Sequence, residues 1–341
     1  MKYITFTVPC YNSAAYMERC IHTLLAGGEL VEIIIVDDGS TDCTGEIADN
    51  YAKAYPDIIR VIHQENGGHG AGVNAGLSAA AGRYFKVVDS DDWLDTDALK
   101  KLLRQMCCQE ATGMEPDLII CNYLYDHLYE NKVKCMPYRN VFTPGKICGW
   151  EDIRPFGPSQ YLVMHALWYK TEVLRESGIR LPKHTFYVDN LFANQPLPYV
   201  KTLCYIDLDL YHYFLGREDQ SVNEKVLMSR IDQQIRVTKL VAMSADLEGL
   251  SHMQPKLARY LTRNISIMMS ISCIHLLLIG TPEAKRQREA LWHFIRSHNR
   301  KLYHILKYKT LSGFTYLPGG WLGDAVTIGG YRAAKRIYQF N

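Results

Sequence analysis

Two patterns of apolar positions alternate along the first hundred residues. Short apolar runs predict strands over residues 4–8, 31–36, 58–63 and 84–88. Between them, apolar or small residues recur at helical spacing and predict helices over residues 16–25, 44–55 and 70–81. Because alternating strands and helices form a mostly parallel sheet flanked by helices, the predicted fold class is α/β with a Rossmann-like sheet.

The pattern changes beyond residue 100. A helix is predicted over residues 97–109 and a strand over residues 118–125, and the alternating aromatic stretch 203–214 predicts an antiparallel strand pair. From residue 227 onward the spacing is mainly helical. The predicted domains are therefore residues 1–220, in halves 1–100 and 101–220, followed by a mainly helical C-terminal region over residues 221–341.

Charge is distributed unevenly along the 341 residues. The formal net charge of +2 provides no bulk attraction for nucleic acid, so no nucleic-acid partner is expected. Residues 283–341 nevertheless carry eleven Lys or Arg residues against three acids. This region is interpreted first as a solvated helical surface, and peripheral contact with an anionic membrane is the alternative.

Three features bear on the cellular location. Ten cysteines without a CxxC spacing predict free thiols in a reducing compartment. Residues 1–9 alternate and are too few for a signal peptide, so a cytoplasmic protein is expected, with the inner face of the membrane as an extension of that location. The fifteen-residue apolar run 265–279 is shorter than the ~20 residues of a spanning helix and predicts a buried core helix.

Polar residues follow all four predicted strands, at the carboxyl ends where open α/β sheets bind ligands. The residues at these four ends are Pro9, Tyr11 and Asn12; Asp37 and Asp38; Asn66 and His69; and Asp89, Asp91 and Asp92. A carboxylate after the second strand can accept hydrogen bonds from a base or a ribose, although this segment is also typical of a turn followed by a helix cap. The predicted sheet therefore brings four polar segments to one edge.

The acids after the fourth strand form the most informative cluster. Three carboxylates within four residues repel one another unless a cation is present, and Mg²⁺ or Mn²⁺ prefers such oxygen ligands. A helix cap at Asp92 or Asp95 accounts for one of the acids. The cluster therefore predicts a divalent cation held by Asp91 and Asp89.

The glycine-rich segment 66–72 carries a weaker signal. Its glycines allow close backbone approach to a phosphate, but the segment lacks the Lys-Ser/Thr of a Walker motif. His69 either contacts the ligand or caps the loop.

Five short motifs in this order resemble glycosyltransferase family 2, whose fold is GT-A. The motifs are Val8-Pro-Cys-Tyr-Asn12, Val36-Asp-Asp-Gly-Ser-Thr-Asp42, Asn66-Gly-Gly, Asn74-Ala-Gly76 and Val88-Asp-Ser-Asp-Asp92. The resemblance implies inverting transfer of a sugar from a nucleotide-sugar, commonly a UDP-sugar, to a hydroxyl of a glycan or lipid-linked acceptor. Cell-envelope or exopolysaccharide synthesis is the implied setting.

The resemblance also implies roles for particular residues. Pro9, Tyr11 and Asp38 would border the base and ribose, Asp89 would lie near the ribose or diphosphate, and Asp91 would bind Mn²⁺ or Mg²⁺. Asp37 and Asn66 are also expected to bind the nucleotide-sugar donor. Where the family often has Arg before the Asn of the Arg-Asn-x-Gly segment, this chain has Val73, and His69 is the candidate substitute.

Two further residues come from the second half of the resemblance. Asp189 in Phe186-Tyr-Val-Asp-Asn-Leu-Phe192 would be the catalytic base, with Val188 in place of the family's Glu. A cap on a helix starting at Asn190 is its alternative. Arg217 would hold the diphosphate, and a surface turn with internal pairing is the alternative there.

Two other functions are compatible with an acidic strand-end site. A nucleotidyltransferase that makes a nucleotide-sugar would be expected to carry basic, glycine-rich residues after the first strand, where residues 9–15 have none that are basic. A noncatalytic nucleotide-sugar-binding protein would need no base such as Asp189. The sequence leaves both alternatives open.

Overall fold

The structure is a computed structural model that describes residues 2–127, 132–158, 160–216, 224–317 and 319–338. The chain divides into two compact units, Met1–Gly216 and Arg217–Asn341. The predicted domain boundary at residue 220 lies outside the described residues.

The first unit contains strands and helices that mostly alternate. Its strands are β1 (Ile4–Cys10), β2 (Val31–Asp37), β3 (Ile59–His63), β4 (Tyr84–Val87), β5 (Trp93–Leu94), β6 (Leu118–His127), β7 (Lys132–Met136), β8 (Ile147–Cys148), β9 (Leu167–Lys170) and β10 (Leu203–Leu215). Its helices are α1 (Met17–Leu25), α2 (Thr44–Ala54), α3 (His69–Ala79), α4 (Thr96–Ala111), α5 (Thr171–Glu176) and α6 (Val188–Asn194).

Within the described residues, the ten strands form one sheet. Its order is β3-β2-β1-β4-β9-β6-β10-β5, with β7 added beside β6 and β8 beside β10. The strands β1 to β4 are parallel, whereas β9 runs antiparallel to both β4 and β6. The α/β fold prediction is confirmed, with a parallel first half and a mixed second half.

The two central strands of the parallel half, β1 and β2, show why this half could be predicted from the sequence. All seven residues of β1 and all seven of β2 are buried, as expected for strands covered by helices on both faces. Two acids are among them, Glu32 and Asp37, and Glu32 accepts a hydrogen bond of 2.6 Å from Thr5 Oγ1 and one of 2.9 Å from Ala81 N. A buried carboxylate is tolerated there because neighbouring donors satisfy it.

The prediction of a strand pair over residues 203–214 is wrong, because β10 is a single strand of thirteen residues. The segment has no Gly or Pro to reverse the chain, and it runs parallel to β6 instead. Its register shifts around Asp209, where Asn122 Nδ2 donates to both Asp207 and Asp209. The irregularity in the middle of this segment is therefore a β-bulge within one strand and not a turn between two strands.

The second unit is helical where it is described, as predicted. Its helices are α7 (Glu224–Ser229), α8 (Ile231–Met243), α9 (Leu247–Met253), α10 (Pro255–Ile279), α11 (Pro282–His298), α12 (Arg300–Lys309) and α13 (Trp321–Tyr338), with a 3₁₀ segment at Leu311–Tyr316.

Helix α10 forms the core of this unit. Leu257, Leu261, Met269 and Leu276 are each no more than 2% exposed, which agrees with the predicted core helix. By length and composition alone α10 could also cross a membrane: its most apolar window has a mean hydropathy of 1.4, and 56% of that window is buried within the protein.

Candidate active site

The loops that follow β1 and β2 are tied together by side chains. Asn12, at a positive φ of 50°, accepts a hydrogen bond of 2.8 Å from Thr41 N through its Oδ1. Its own backbone N donates to Ser40 Oγ at 3.0 Å. An Asn side chain tolerates the left-handed backbone conformation that this geometry requires. The two strand ends are therefore held side by side.

Asp38 organises the loop that precedes α3. Its carboxylate accepts hydrogen bonds from Gly67 N at 2.9 Å, Gly68 N at 2.7 Å and Gln64 Nε2 at 2.6 Å. Asn66 Nδ2 adds a bond of 2.9 Å to the backbone carbonyl of Asp38. The residue is only 3% exposed. The buried carboxylate thus fixes the glycine-rich loop against the end of β2.

Asp37 has a different set of partners, on the other side of the same strand end. Its carboxylate accepts from Ser40 N at 3.0 Å and lies 2.9 Å from His63 Nδ1. Burial alone would raise the pKa of Asp37, but the hydrogen bonds from Ser40 and His63 outweigh burial and lower it. Asp37 is therefore an ionised carboxylate that closes the turn.

The glycines of the loop allow a close approach of the chain that leads to Asp189. A Cβ on Gly70 would lie 2.8 Å from the carbonyl of Pro182, and His184 N donates to the carbonyl of Gly67 at 2.7 Å. Asn74 binds Leu181 with both ends of its amide, at 2.8 and 3.0 Å. The contact with Pro182 accounts for the glycine at Gly70 without a phosphate, and a Cβ on Gly67 would lie 2.6 Å from Ala71 Cβ, so only a residue lacking Cβ fits at either position.

An ion pair joins the start of α3 to the end of β4. His69 Nε2 lies 2.8 Å from Asp89 Oδ1. Burial opposes charge on both groups, but their attraction outweighs it, so the pKa of His69 is raised and that of Asp89 is lowered. Ser13 Oγ lies 2.9 Å from Ser90 Oγ and ties the loop after β1 to the same strand end. Three strand ends therefore meet around Asp89.

Asp92 is a structural acid rather than a cap. It accepts hydrogen bonds from Tyr211 OH at 2.5 Å and from Phe214 N at 2.8 Å, so β10 occupies both of its oxygens. Burial, followed by the charges of Asp91 and Asp89, raises the pKa of Asp92 well above its ordinary value. The cap of α4 is Asp95, whose Oδ1 accepts from Ala98 N at 2.7 Å.

Sequence reasoning missed three residues packed behind Asp89. Lys86 is fully buried, and its Nζ donates to the carbonyls of Met164 and His165 at 2.8 and 2.5 Å. Burial lowers the pKa of Lys86 to about 7 and that of His165 to about 4. His165 stacks on Tyr211 with ring centroids 4.6 Å apart.

One of these three residues, Lys86, could have been predicted from the sequence. Lys86 is a charged residue inside an apolar strand, and a buried charge usually has a specific reason. The sequence around His165 and Tyr211 gives no such indication, because both residues come close to Asp89 only when the sheet and the segment before β9 pack together.

Asp189 lies in the first turn of α6, which begins at Val188, so it does not cap a helix starting at Asn190. Burial raises its pKa; the charge of His69 opposes this, and that of Asp89 adds to it. The charges of Asp89, Asp189 and Asp91 all act in turn on the pKa of His69. Three predicted site acids therefore act electrostatically on one imidazole.

A divalent cation fits the chemistry of this cluster. Ligand atoms of Asp89, Asp92 and His165 lie within 4.8 Å of one another, and no hydrogen-bond partner reaches His165 Nδ1 in the described part of the chain. Carboxylate oxygens suit Mg²⁺ and Mn²⁺, although both Asp92 oxygens are already engaged. Asp91, half-buried in the turn after β4, is the other predicted ligand.

The remaining predicted residues differ in accessibility. Pro9 is buried in β1, and Gly72 of α3 packs so closely on it that a Cβ there would lie 3.0 Å from Pro9 Cβ. Tyr11 is 52% exposed beside the joined loops and is free to face a ligand. Asn66 helps Asp38 to hold the loop. Arg217 lies outside the described residues.

The fold and the site define an α/β protein with an acidic centre at the carboxyl ends of its parallel strands. A family model described as Glycosyl transferase family 2 matches residues 5–147. The resemblance to glycosyltransferase family 2 that the five motifs indicated is therefore confirmed over these residues.

Curated relatives extend this similarity. EpsH of Bacillus subtilis is 30% identical over 230 residues, covering 62% of this chain and 60% of EpsH. Glycosyltransferase GlyA of Streptococcus pneumoniae is 36% identical over 262 residues, covering 72% of this chain and 36% of GlyA. The chain spans 60%, 38% and 33% of the lengths of three curated relatives it matches.

Among solved structures, Staphylococcus aureus TarS 1–349 in complex with UDP-GlcNAc has a similar fold. The TM-score is 0.67 at 20% identity, and the similarity covers 98% of this chain and 92% of that one. At this level of identity the likeness establishes the shared fold.

Proposed function

We propose that this chain is an inverting glycosyltransferase that moves a sugar from a nucleotide-sugar donor to an acceptor hydroxyl. The observation that carries the proposal is the ion pair of His69 with Asp89 at the strand ends, where the charges of Asp91 and Asp189 also act on His69. Inverting transfer needs one site for the diphosphate and one base for the acceptor, and the cluster offers carboxylates for both roles.

Asp189 is proposed as the base. A general base works best when its pKa approaches the working pH, and burial raises the pKa of Asp189 in that direction. It would take the proton of the acceptor hydroxyl as the oxygen attacks the anomeric carbon. The close packing of segment 181–184 on the glycine-rich loop keeps this base in place relative to the donor side.

Asp91 and Asp89 are proposed to hold Mn²⁺ or Mg²⁺. When bound, the cation would neutralise charge on the leaving nucleoside diphosphate. The chain itself orients these ligands: His69 fixes one oxygen of Asp89, and Tyr211 receives a bond of 3.2 Å from Asp89 N. The partly exposed Tyr11 is proposed to border the base and ribose.

The donor is inferred from a solved structure with a similar fold, and the acceptor and location from the family resemblance and the sequence. TarS is described in complex with UDP-GlcNAc, and a UDP-sugar is accordingly the proposed donor, with a hexose as the transferred group. A glycan or lipid-linked acceptor of cell-envelope or exopolysaccharide synthesis, met in the cytoplasm or at the inner face of the membrane, completes the proposal. The basic C-terminal region is proposed to make the membrane contact.

Donor hydrolysis tests the proposal directly. With Mn²⁺ and a panel of nucleotide-sugars, the wild-type chain should release a nucleoside diphosphate, and Asp91→Asn should abolish this release while leaving the circular dichroism spectrum unchanged. Asp97→Asn is the matched control, since Asp97 is an exposed acid on α4 with an 81% exposed side chain. Undiminished release in excess EDTA would refute the metal assignment.

The base is tested separately, in an acceptor-dependent assay. Asp189→Asn should keep the donor affinity measured by calorimetry and lower transfer by about 10²–10⁴-fold, the usual contribution of a positioned base. Transfer at a near wild-type rate would place the base elsewhere.

The two alternative functions predict other products. A nucleotidyltransferase would release pyrophosphate from a nucleoside triphosphate, and a noncatalytic binding protein would bind donor without turnover. Asp189 beside the acidic cluster favours transfer over both, because neither alternative needs a base at that position.

A further inference from the structure

Helix α13 of the second unit turns four of its polar side chains toward the protein. Its residues make hydrogen bonds of 2.8 Å to three partners in the same unit: a guanidinium N of Arg288, the carbonyl of Phe314 and a carboxylate oxygen of Glu224. The helix residues that make these bonds are Asp324, Thr327, Tyr331 and Lys335. Their spacing places them on one side of the helix.

The opposite side of α13 is apolar and exposed. Leu322 is 56% exposed and Val326 is 63% exposed. The residues that share this side at helical spacing are Leu322, Ala325, Val326, Gly329 and Ala333, all classed as exposed. A surface helix of a soluble protein normally buries its apolar side and exposes its polar one, so α13 has the reverse orientation.

Neighbouring apolar residues enlarge this surface. Leu311 and Phe314 of the 3₁₀ segment are 72% and 64% exposed, and Trp321 at the start of α13 is 74% exposed. Thr327 bonds the carbonyl of Phe314 and holds the segment beside the helix. We refer to Leu311, Phe314, Trp321, Leu322 and Val326 as the apolar C-terminal surface. Exposed apolar groups of this size clustered together mark an interaction site.

The charges that accompany this surface are positive. Residues 300–338 contain seven Lys or Arg residues and one acid, Asp324. That acid faces inward, paired with Arg288. Lys309 and Arg332 are exposed. A partner that fits this surface should therefore offer both an apolar environment and negative charge.

We propose that the apolar C-terminal surface inserts into the interface of an anionic membrane, with Lys309 and Arg332 facing the headgroups. Trp, Phe and Leu side chains flanked by cations are characteristic of interfacial helices, and each basic residue near an anionic leaflet adds attraction. A second copy of the chain is disfavoured as the occupant, because pairing two such surfaces would bring like charges together.

The inference deepens the membrane contact of the proposed function and rests on it. It adds the residues that enter the membrane and the apolar character of the contact. Charge alone would leave Trp321 in water, whereas insertion removes it from water, and this difference can be measured.

Trp321 makes the test specific. The other four tryptophans, Trp93, Trp150, Trp168 and Trp292, are at most 7% exposed, so quenching of fluorescence by aqueous acrylamide reports mainly on Trp321. With vesicles of phosphatidylglycerol and phosphatidylcholine, the full chain should co-sediment, its emission should shift to the blue, and acrylamide quenching should fall. Trp321→Phe should remove the quenchable component.

Two variants separate the apolar and electrostatic contributions. Leu322→Ser/Val326→Ser and Lys309→Glu/Arg332→Glu should each reduce partitioning onto the anionic vesicles at least tenfold, and vesicles of phosphatidylcholine alone should bind weakly. Met253→Ser is the control, because Met253 is 73% exposed on α9 and lies outside the surface. It should bind as the wild type does.

Three results would overturn the inference: no binding of the full chain to anionic vesicles, binding with Trp321 still quenched, or binding unaffected by Leu322→Ser/Val326→Ser. A concentration-dependent dimer broken by that variant, without vesicle binding, would assign the surface to self-association instead. Donor hydrolysis measured in lipid-free solution tests the proposed glycosyl transfer independently of the proposed membrane insertion. Vesicle binding without donor hydrolysis supports the inference and refutes the proposed function.

Discussion

Replacing Asp38 by Asn tests whether this acid stabilises the glycine-rich loop or serves only to bind a ligand. The wild-type carboxylate accepts from Gly67 N, Gly68 N and Gln64 Nε2, all within 2.9 Å. In Asp38→Asn one oxygen becomes an NH₂ group, which cannot accept and faces a donor. At about 1.5–3 kcal/mol for a hydrogen bond to a charged group, losing one bond and the charge on the others should cost about 2–4 kcal/mol of unfolding free energy.

Urea unfolding followed by circular dichroism measures the loss, and hydrogen exchange resolved to peptides locates it. Exchange should accelerate in the peptide containing Gly67 and Gly68 before any other part of the sheet. Asp57→Asn is the matched control, since Asp57 is exposed in the loop before β3. A stability loss below about 1 kcal/mol, together with unchanged exchange at the loop, would contradict the structural role and favour a role in ligand binding alone.

Three further substitutions follow from the structure. In Gly76→Ala the new Cβ would lie 1.9 Å from Thr7 Oγ1, and this overpacking should lower the unfolding free energy by about 1–3 kcal/mol in urea titrations. In His63→Gln the variant should lose stability relative to wild type at pH 6 but little at pH 9. The hydrogen bond that His63 donates to Asp37, ahead of the one to Asp49, raises the pKa of His63. The stabilisation by the imidazolium is therefore complete below the ordinary pKa of His63 and lost as pH rises through the raised one. In Lys86→Met three buried carbonyls lose their donor, which should cost about 1–3 kcal/mol.

Each of these substitutions has a control or a contradicting result. Gly329→Ala adds a Cβ with nothing within 4 Å and should stabilise α13 by about 0.5–1 kcal/mol, opposite in sign to Gly76→Ala. A melting-temperature difference between wild type and His63→Gln that does not change with pH would show that the imidazolium contributes nothing. Lys100→Met on the exposed side of α4 should be neutral, and an equal loss there would make the burial of Lys86 irrelevant.

The parallel half of the fold was predictable because its signals are local. Strands buried on both faces read as continuous apolar runs, as in β2, and the helices between them repeat at helical spacing. The strands β5 and β8 have two residues each, too few to show a period, and β10 needed its partner β6 to be recognised as one strand. Long-range pairing selects such strands, and it leaves no local pattern.

The acidic site was predictable in part for the same reason. Strand ends of a parallel sheet share an edge, so the grouping of Asp38 and Asp89 follows from the order of elements. The role of each individual acid does not follow from the order of elements. Asp92 and Asp95 are equivalent in sequence, yet one is buried against β10 and the other caps α4.

The α/β class, the resemblance to glycosyltransferase family 2 and the acids at the strand ends follow from local sequence, because period, turn chemistry and motif order are properties of neighbouring residues. Three other features exist only in the packed molecule: the glycines admit the chain leading to Asp189, Lys86 and His165 lie behind Asp89, and α13 exposes its apolar side to solvent. Each of these depends on contacts between residues far apart in the chain, and burial and charge at such contacts arise only when the elements pack.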